Sequence, residues 1–257
     1  MKGRSENITR KIPAAAALIA IVVLWEVLCL SGAVPKYMLP SPGEVISAFL
    51  SDFPNLMHHA ATSLLEAASG LFIGILLAFV MATLMDRFMV LDQAFYPLMI
   101  ITQTIPTIAI APLLVLWMGF GMAPKITLVV IMTFFPITIG LLEGYRSVDP
   151  DAISLMQAMG ANRAQIFRHV KFPAAIPYFF SGLKISASYS VVGAVISEWL
   201  GGFEGLGVYM TRVKKAYAFD KMFAVIFLIV IISLLLMALV NLLRNLCMPW
   251  APGKRQT

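Results

Sequence analysis

Long apolar runs, repeated along the whole chain, constrain its fold more than any other feature. Apolar residues make up 60% of the 257 residues and charged residues only 12%, whereas a soluble domain is about half apolar and a quarter charged. Several runs approach or exceed the roughly 18 apolar residues that are typical of a bilayer-spanning helix. The sequence therefore predicts an all-α polytopic membrane protein with about six transmembrane helices, at approximately Ile12–Leu30, Ala61–Met85, Phe95–Met118, Ile126–Glu143, Ile176–Trp199 and Met222–Leu246.

The distribution of basic residues predicts the orientation of these spans. A cytoplasmic N-terminus puts 12 basic residues on the inside, namely Lys2, Arg4, Arg10, Lys11, Arg87, Arg146, Arg163, Arg168, Lys171, Arg244, Lys254 and Arg255. It leaves 6 outside, namely Lys36, Lys125, Arg212, Lys214, Lys215 and Lys221, with Lys184 inside a span. Because cytoplasmic loops are enriched in Lys and Arg, we expect both termini and the polar segment 149–173 in the cytoplasm.

Prolines interrupt the third span at Pro106 and Pro112 and the fourth at Pro136. Proline frees backbone carbonyls, which neighbouring helices or a water-lined cavity must satisfy at membrane depth. The third span is therefore either a kinked helix packed in the bundle or a helix that lines a solute path. The candidate pathway residues are Gln103, Thr104, Pro106, Ser190 and Glu198, and Glu198 either rings the outer mouth or faces water.

Small residues recur at every fourth position in two spans. The first series is Gly70, Gly74, Ala78 and Ala82, and the second is Gly182, Ser186, Ser190 and Ala194. Such stripes allow helix backbones to approach closely in lipid. They predict tight helix packing, either within one chain or between two chains.

Ionisable side chains offer few candidates for chemistry. Glu26 lies within the first span and is either a functional group or a buried carboxyl that is neutralised by a neighbouring helix. His58, His59 and His169 show no metal-ligand spacing, and neither a nucleophile elbow nor a phosphate-binding P-loop is present. We expect no catalytic residue, metal or cofactor, and any ATP hydrolysis must occur on another chain.

The polar segment between the fourth and fifth spans has the signals of two helices. Asp149 is a good N-cap, Pro150 suits the first helical position, and Asp151 complements the helix dipole. An apolar face follows, and Gly160 is placed to close the helix with a left-handed residue. The apolar face consists of Ile153, Leu155, Met156 and Met159. Asn162 and Gln165 form a second capping pair, after which Ile166, Phe167 and Val170 are apolar and Pro173 is expected to end the second helix.

This segment resembles the loop that docks on the ATPase subunit in permeases of binding-protein-dependent ABC importers. Gly160 matches the glycine of that family's pattern, and Ile166, Val170, Pro173 and Pro177 match its ending. Ser154, Leu155 and Met156 replace the Glu-Ala-Ala at its start. The stretches "LPSPGEV" (39–45) and "SEWLGGFEGLGVYM" (197–210) resemble external segments of the nitrate, sulfonate and taurine type of permease.

The resemblance implies a single transmembrane permease domain over residues 1–257, similar to type I ABC importers, with its core at 61–246. It implies a cytoplasmic coupling helix between spans 4 and 5 in a multi-pass protein of the bacterial inner membrane. The coupling residues would be Asp149, Asp151, Ile153, Met156, Ala158, Met159, Gly160, Ala161, Ile166 and Pro173. The implied partners are a second permease copy, two ATPase subunits and an external solute-binding protein.

Several alternatives for the function stay open. The stretches "GLKISASYSVVGAVISEWLGG" and "AFDKMFAVI" look most like members that import pyrimidine precursors of thiamine, while sulfonate, taurine and nitrate are the other solutes of this type. The basic loop with Arg212, Lys214, Lys215 and Lys221 is either a solvated face or a docking rim for an acidic binding protein. An ion-coupled secondary transporter is the alternative class, although the sequence shows neither an obvious inverted repeat nor a series of midplane charges.

Overall fold

The computed structural model of the protein describes residues 2–32, 34–35 and 38–249. Across these ranges the chain is helical and contains no β-strand, which confirms the all-α prediction. The helices are α1 (Lys2–Leu30), α2 (Pro42–Ser51), α3 (Phe53–Arg87), α4 (Met89–Thr104), α5 (Thr107–Met118), α6 (Met122–Arg146), α7 (Pro150–Ala158), α8 (Arg163–Ile166), α9 (Phe172–Glu198), α10 (Leu206–Lys215) and α11 (Phe219–Cys247).

Four helices in the described part of the chain are long and apolar enough to cross a membrane, at Phe53–Arg87, Met122–Arg146, Arg163–Glu198 and Phe219–Cys247. The pair α4 and α5 passes the same test together, so the number of spans rises to at most 5. The predicted first span falls on α1, whose apolar part Ala15–Leu30 is shorter. The predicted number of six spans is therefore not confirmed.

Helices α6 and α9 pack with their backbones in close contact. A Cβ added at Gly140 of α6 would lie 2.8 Å from the carbonyl oxygen of Tyr178 on α9, closer than real Cβ atoms come to such an atom. Gly182 of α9 fits in the same way against the Pro136 backbone of α6. Ser186 Oγ donates a hydrogen bond of 2.9 Å to the Thr133 carbonyl, which joins the two helices further along.

Both small-residue stripes lie at helix contacts within this chain. On α9 the four members of the second stripe are all buried. On α3 a Cβ at Gly70 would meet Val129 of α6, and one at Gly74 would meet Thr133. The prediction of tight packing is confirmed, and the contact is intramolecular for both stripes.

The predicted helix end at Pro173 is wrong. Residues Phe167–Lys171 form a π-helical turn, and the N–H of Phe172 donates to the carbonyl of Phe167, five residues earlier. Pro173 has no N–H to donate, so it sits where the widened turn ends and the ordinary helix α9 begins. Arg163–Glu198 is consequently one continuous helical span of 36 residues.

The chain groups into two compact units, one comprising residues 1–57 with 209–228 and the other residues 58–208 with 229–257. In the first unit, Trp25 Nε1 donates a 3.0 Å hydrogen bond to the Pro40 carbonyl, and the Asp52 carboxylate accepts from Tyr209 and Lys221. Burial opposes ionisation of Asp52, but these hydrogen bonds outweigh it and hold the pKa of Asp52 below its ordinary value of 3.8. The second unit contains the segment 149–173 and all five candidate pathway residues. The single-domain assignment over 1–257, with a core at 61–246, stays a prediction.

The orientation of the spans also stays a prediction. It rests in part on Lys36, Lys254 and Arg255, which lie outside the described residues, as do the side chains of Lys2, Arg4, Arg10 and Lys11.

Candidate functional site

The start of the predicted coupling segment folds as the sequence predicts. Asp149 is the N-cap of α7, and its side chain accepts a 2.9 Å hydrogen bond from the N–H of Asp151. Pro150 occupies the first turn, where its missing N–H costs nothing. Asp151 lies at the positive end of the helix dipole. The first helix therefore begins where the sequence predicts.

Gly160 ends this helix in a left-handed conformation with φ +84°. The Gly160 N–H donates to the Gln157 carbonyl at 2.9 Å, and the Ala161 N–H donates to the Met156 carbonyl at 2.9 Å. This pair of bonds is a Schellman motif, which satisfies carbonyls that a helix end otherwise leaves free. The predicted positive φ is confirmed, and the corner after α7 is fixed by backbone hydrogen bonds.

The apolar residues of α7 divide between two sides, which differs from the single face that the sequence predicts. Leu155 and Met159 are 63% and 76% exposed, whereas Ile153 and Met156 are half-buried. Ala158 is exposed and Ala161 half-buried. Residues 155 and 159 are one helical turn apart, so α7 presents a small exposed apolar ridge on one side and contacts the protein on the other.

A second helix starts directly after the corner. Asn162 and Gln165 cap each other's backbone N–H groups reciprocally, at 2.7 and 2.9 Å, as predicted. Ile166 is buried, and Pro173 lies inside the continuous helix rather than at its end. The predicted coupling residues 149–161 thus cluster in one segment, whereas Ile166 and Pro173 belong to the helical rod behind it.

The third predicted span is broken. Helices α4 and α5 meet at an angle of 102°, with Ile105 and Pro106 in non-helical conformations between them. A cleft of about 290 Å³ opens beside this break, and its lining carries no acidic or basic side chain. The lining residues are Thr102, Gln103, Ile105, Thr107, Ile110, Ile131, Met132 and Tyr189.

The predicted pathway residues fall in two places. Gln103 lines this cleft, and Thr104 and Pro106 lie exposed at the same break. Ser190 is fully buried, and its hydroxyl donates a 2.9 Å hydrogen bond to the Ala187 carbonyl of its own helix. Glu198 is only 2% exposed, so the alternative in which it faces water does not match the structure.

Glu198 belongs to a buried polar cluster that ties the glycine-rich turn 201–207 to the spans. Its carboxylate accepts 2.6 Å hydrogen bonds from the Ser63 hydroxyl and from the N–H of Gly207. The Ser63 oxygen in turn accepts from the N–H of Leu206 at 2.8 Å, and His59 Nδ1 accepts from the N–H of Gly205 at 3.0 Å. Two spans therefore hold the turn through its backbone N–H groups.

Sequence reasoning missed the ion pair at the centre of this cluster. Lys125 Nζ lies 2.7 Å from Glu66 Oε1, and the two side chains are 5% and 0% exposed. Lys125 also donates to the Glu204 carbonyl at 3.4 Å. The available signal was Glu66 itself, an acidic residue inside the second predicted span, whereas the sequence reading singled out Glu26 as the midplane charge.

Glu26 is half-buried on α1, and its role stays a prediction. Among the described residues, no group of three His, Cys, Asp or Glu side chains is placed to hold a metal ion. Three features thus stand out in the described residues: the helix α7 with exposed Leu155 and Met159, an uncharged cleft at the break between α4 and α5, and buried hydrogen bonds that hold the 201–207 turn.

Comparison with known proteins identifies the kind of protein that carries such features. Residues 70–249 match the family described as binding-protein-dependent transport system inner membrane component. A probable ABC transporter permease of Haemophilus influenzae is 36% identical over 84% of this chain and 88% of the relative. The formylaminopyrimidine transport permease ThiX of Halalkalibacterium halodurans is 34% identical over 90% of this chain and 92% of the relative.

A more distant relative and a solved structure extend the comparison. The taurine transport permease TauC of Escherichia coli is 29% identical over 96% of this chain and 91% of the relative. The fold is similar to that in a crystal structure of an amino acid ABC transporter with histidines, at a TM-score of 0.64 and 15% identity, over 77% of this chain and 96% of that one.

Proposed function

This chain belongs to the family of binding-protein-dependent transport system inner membrane components and is a permease subunit of an ABC importer, and we propose that its solute is a pyrimidine precursor of thiamine. The formylaminopyrimidine permease is 34% identical to this chain and the taurine permease 29%. The higher identity to the pyrimidine permease agrees with the resemblance of the fifth and sixth predicted spans to permeases that import thiamine precursors.

The uncharged cleft at the break between α4 and α5 is the observation that carries the choice of solute. Thr102, Gln103, Thr107 and Tyr189 offer hydrogen-bonding groups, and isoleucine and methionine side chains supply the apolar wall. Burying an anion without a cationic partner costs far more than burying a hydrogen-bonded neutral group. An aminopyrimidine is flat and carries donors and acceptors, so an amide and an aromatic ring suit it.

An anionic or zwitterionic solute is the second candidate, and one feature favours it. The start of α5 at Thr107 lies at this cleft, and the N-terminal end of a helix carries a partial positive charge. Taurine or an alkanesulfonate would use that charge. The helix end alone provides less than an Arg or Lys side chain, which binds an anionic group through charge-assisted hydrogen bonds, and the cleft lining contains neither. The pyrimidine is therefore the better match.

For the coupling to ATP, α7 is proposed to dock in a groove of the ATPase subunit through Leu155 and Met159. A helix of 9 residues is marginal in water on its own, and exposed apolar side chains on a polar segment indicate a partner surface. The assembly would contain two permease copies, two ATPase subunits and an external binding protein. Both termini of the chain would be cytoplasmic.

Uptake into proteoliposomes tests the function. Permease and ATPase are reconstituted with the binding protein outside, and radiolabelled hydroxymethylpyrimidine, taurine and an alkanesulfonate are offered in parallel. We expect ATP-dependent accumulation of the pyrimidine alone. Accumulation driven by an ion gradient without ATP would overturn the importer mechanism, and uptake of the sulfur compounds alone would overturn only the solute.

A matched pair of variants tests whether the cleft contributes to selection. Gln103→Leu removes the amide from the cleft, while Gln93→Leu makes the same change at an exposed position of α4 that does not line it. We expect Gln103→Leu to lower uptake about tenfold, the effect of one or two lost hydrogen bonds. Gln93→Leu should match the unaltered protein. Equal uptake by both variants would remove the cleft from the pathway.

A further inference from the structure

A cavity lined in part by α7 has no role in the function proposed above. Its volume is about 790 Å³. The last turn of α3 forms one wall, with Thr83, Asp86 and Arg87. Ile153 and Gln157 on the inner side of α7 form the second wall. The start of the 163–198 helix closes the cavity from behind.

The charges around this cavity do not balance. Lys171 Nζ donates to both carboxylate oxygens of Asp86, at 2.7 and 2.9 Å, so these two side chains neutralise each other. Arg87 and Arg163 also line the cavity. Within the described part of the chain, neither arginine forms an ion pair with a carboxylate. The cavity therefore carries two positive charges that its own walls do not compensate.

The location of the cavity indicates which kind of molecule supplies the negative charge that would balance the two arginines. Arg87 is the last residue of a membrane-spanning helix of 35 residues, so the cavity mouth lies at the boundary where the phosphates of membrane lipids are concentrated. Ile153, Ile166 and Phe167 provide apolar wall beside the charges. Arginine pairs with two phosphate oxygens at once, and basic pockets between spans on the cytoplasmic side are a known form of headgroup site.

We propose that this cavity binds the phosphate headgroup of an anionic phospholipid between Arg87 and Arg163. The headgroup fills the space behind α7 and holds the coupling helix against the end of α3. Because Leu155 and Met159 project from the other side of α7, the lipid and the proposed ATPase contact occupy opposite sides of one short helix. The proposal concerns a site on this chain alone and does not depend on which solute is carried.

Native mass spectrometry of the purified chain tests the site directly. The protein is equilibrated in micelles with phosphatidylglycerol, cardiolipin or phosphatidylcholine, and retained lipid is counted. Arg87→Gln/Arg163→Gln removes the two cavity charges, and Arg168→Gln/Arg244→Gln removes two basic residues that do not line the cavity. Two basic contacts near an anionic surface correspond to roughly thirtyfold in affinity. We expect the first double variant to lose phosphatidylglycerol and cardiolipin by about that factor and the second to keep them.

Three further outcomes decide the proposal. Equal lipid retention by the two double variants overturns it. Displacement of the anionic lipid by inorganic phosphate at millimolar concentration assigns the site to free phosphate and overturns the lipid as its source. If the cavity variant keeps its lipid but no longer co-purifies with the ATPase, the arginines instead meet an acidic surface of that partner, and the lipid site is refuted.

Discussion

Replacement of Gly160 isolates the backbone conformation of the coupling corner from every side-chain contact. Its φ is +84°, a region that L-residues with a Cβ avoid. A Cβ built at this position meets no atom within 4 Å, so a substituted side chain has free space around it. The penalty is therefore conformational alone, about 1–2 kcal/mol for alanine and at the upper end of about 1–3 kcal/mol for β-branched valine. Asparagine, which adopts left-handed conformations more readily, should cost least.

This penalty acts on α7 and leaves the spans intact. The helix has only 9 residues, and the two Schellman hydrogen bonds from Gly160 and Ala161 close its end. A loss of about 1–2 kcal/mol changes the ratio of ordered to frayed helix about 5- to 30-fold. In the proposed docking, only the ordered helix presents Leu155 and Met159 to the ATPase, so we expect the apparent affinity for the ATPase to fall with the ordered fraction.

The assay is a substitution series read by ATPase affinity and permease-stimulated hydrolysis in detergent. We expect coupling to decrease in the order glycine, asparagine, alanine, valine, with membrane insertion and melting temperature close to those of the unaltered protein. Full coupling by Gly160→Val would refute the role of the corner. If asparagine were as damaging as valine, the side chain rather than φ would be responsible.

Three other predictions concern the rest of the chain. Lys125→Met leaves the Glu66 carboxylate buried without its cation and should cost about 3–5 kcal/mol of stability, whereas Lys125→Met/Glu66→Leu should recover most of it in thermal unfolding; equal melting temperatures for the single and double variants would contradict this. The lowered pKa of Asp52 means that its hydrogen bonds stabilise the fold above pH 3.8 and lose that effect as the pH falls through the lowered pKa. Tyr209→Phe removes the hydrogen bond that the Tyr209 hydroxyl donates. The loss of stability in this variant at pH 7 should therefore shrink below pH 3.8, and a loss that does not change with pH would argue against the bond. The purified chain alone should neither bind ATP at micromolar concentration nor hydrolyse it, and equilibrium dialysis with labelled nucleotide checks this.

The parts of the coupling segment that the sequence predicts correctly depend on neighbouring residues only. Three features were predicted in this way: the Asp149 cap, the Gly160 corner and the Asn162–Gln165 pair. Each joins residues within three positions of one another, except for the bond from the Ala161 N–H to the Met156 carbonyl, which spans five. Capping chemistry of this kind is set by residue type and spacing, so a single sequence carries it. The separation of the apolar residues of α7 into two sides could not be predicted, because it depends on which side of α7 faces the rest of the protein.

The buried Glu66–Lys125 pair shows what the sequence does not predict, namely a contact between residues far apart in the chain. The two residues are 59 positions apart. Glu66 lies well inside α3, whereas Lys125 lies in the first turn of α6. Helical periodicity gives the face on which a residue lies, but not which residue of another helix stands opposite at the same depth. An isolated acid inside an apolar run indicates that a partner exists, and only the packing of α3 against α6 identifies Lys125 as that partner.

The wrong prediction at Pro173 changes how motion at α7 reaches the rest of the unit. A helix ending at Pro173 would place a flexible joint between the coupling corner and the fifth predicted span. The π-helical turn at 167–171 instead absorbs the missing N–H, and a single helix runs from Arg163 to Glu198 over 36 residues, or roughly 54 Å at 1.5 Å per residue. One end of this rod begins at the capping pair beside Gly160, and the other ends at the carboxylate that holds the N–H of Gly207. The corner and the 201–207 turn are therefore joined by one continuous helix, whose backbone ladder is irregular at the widened π turn and at Pro177, which has no N–H to donate.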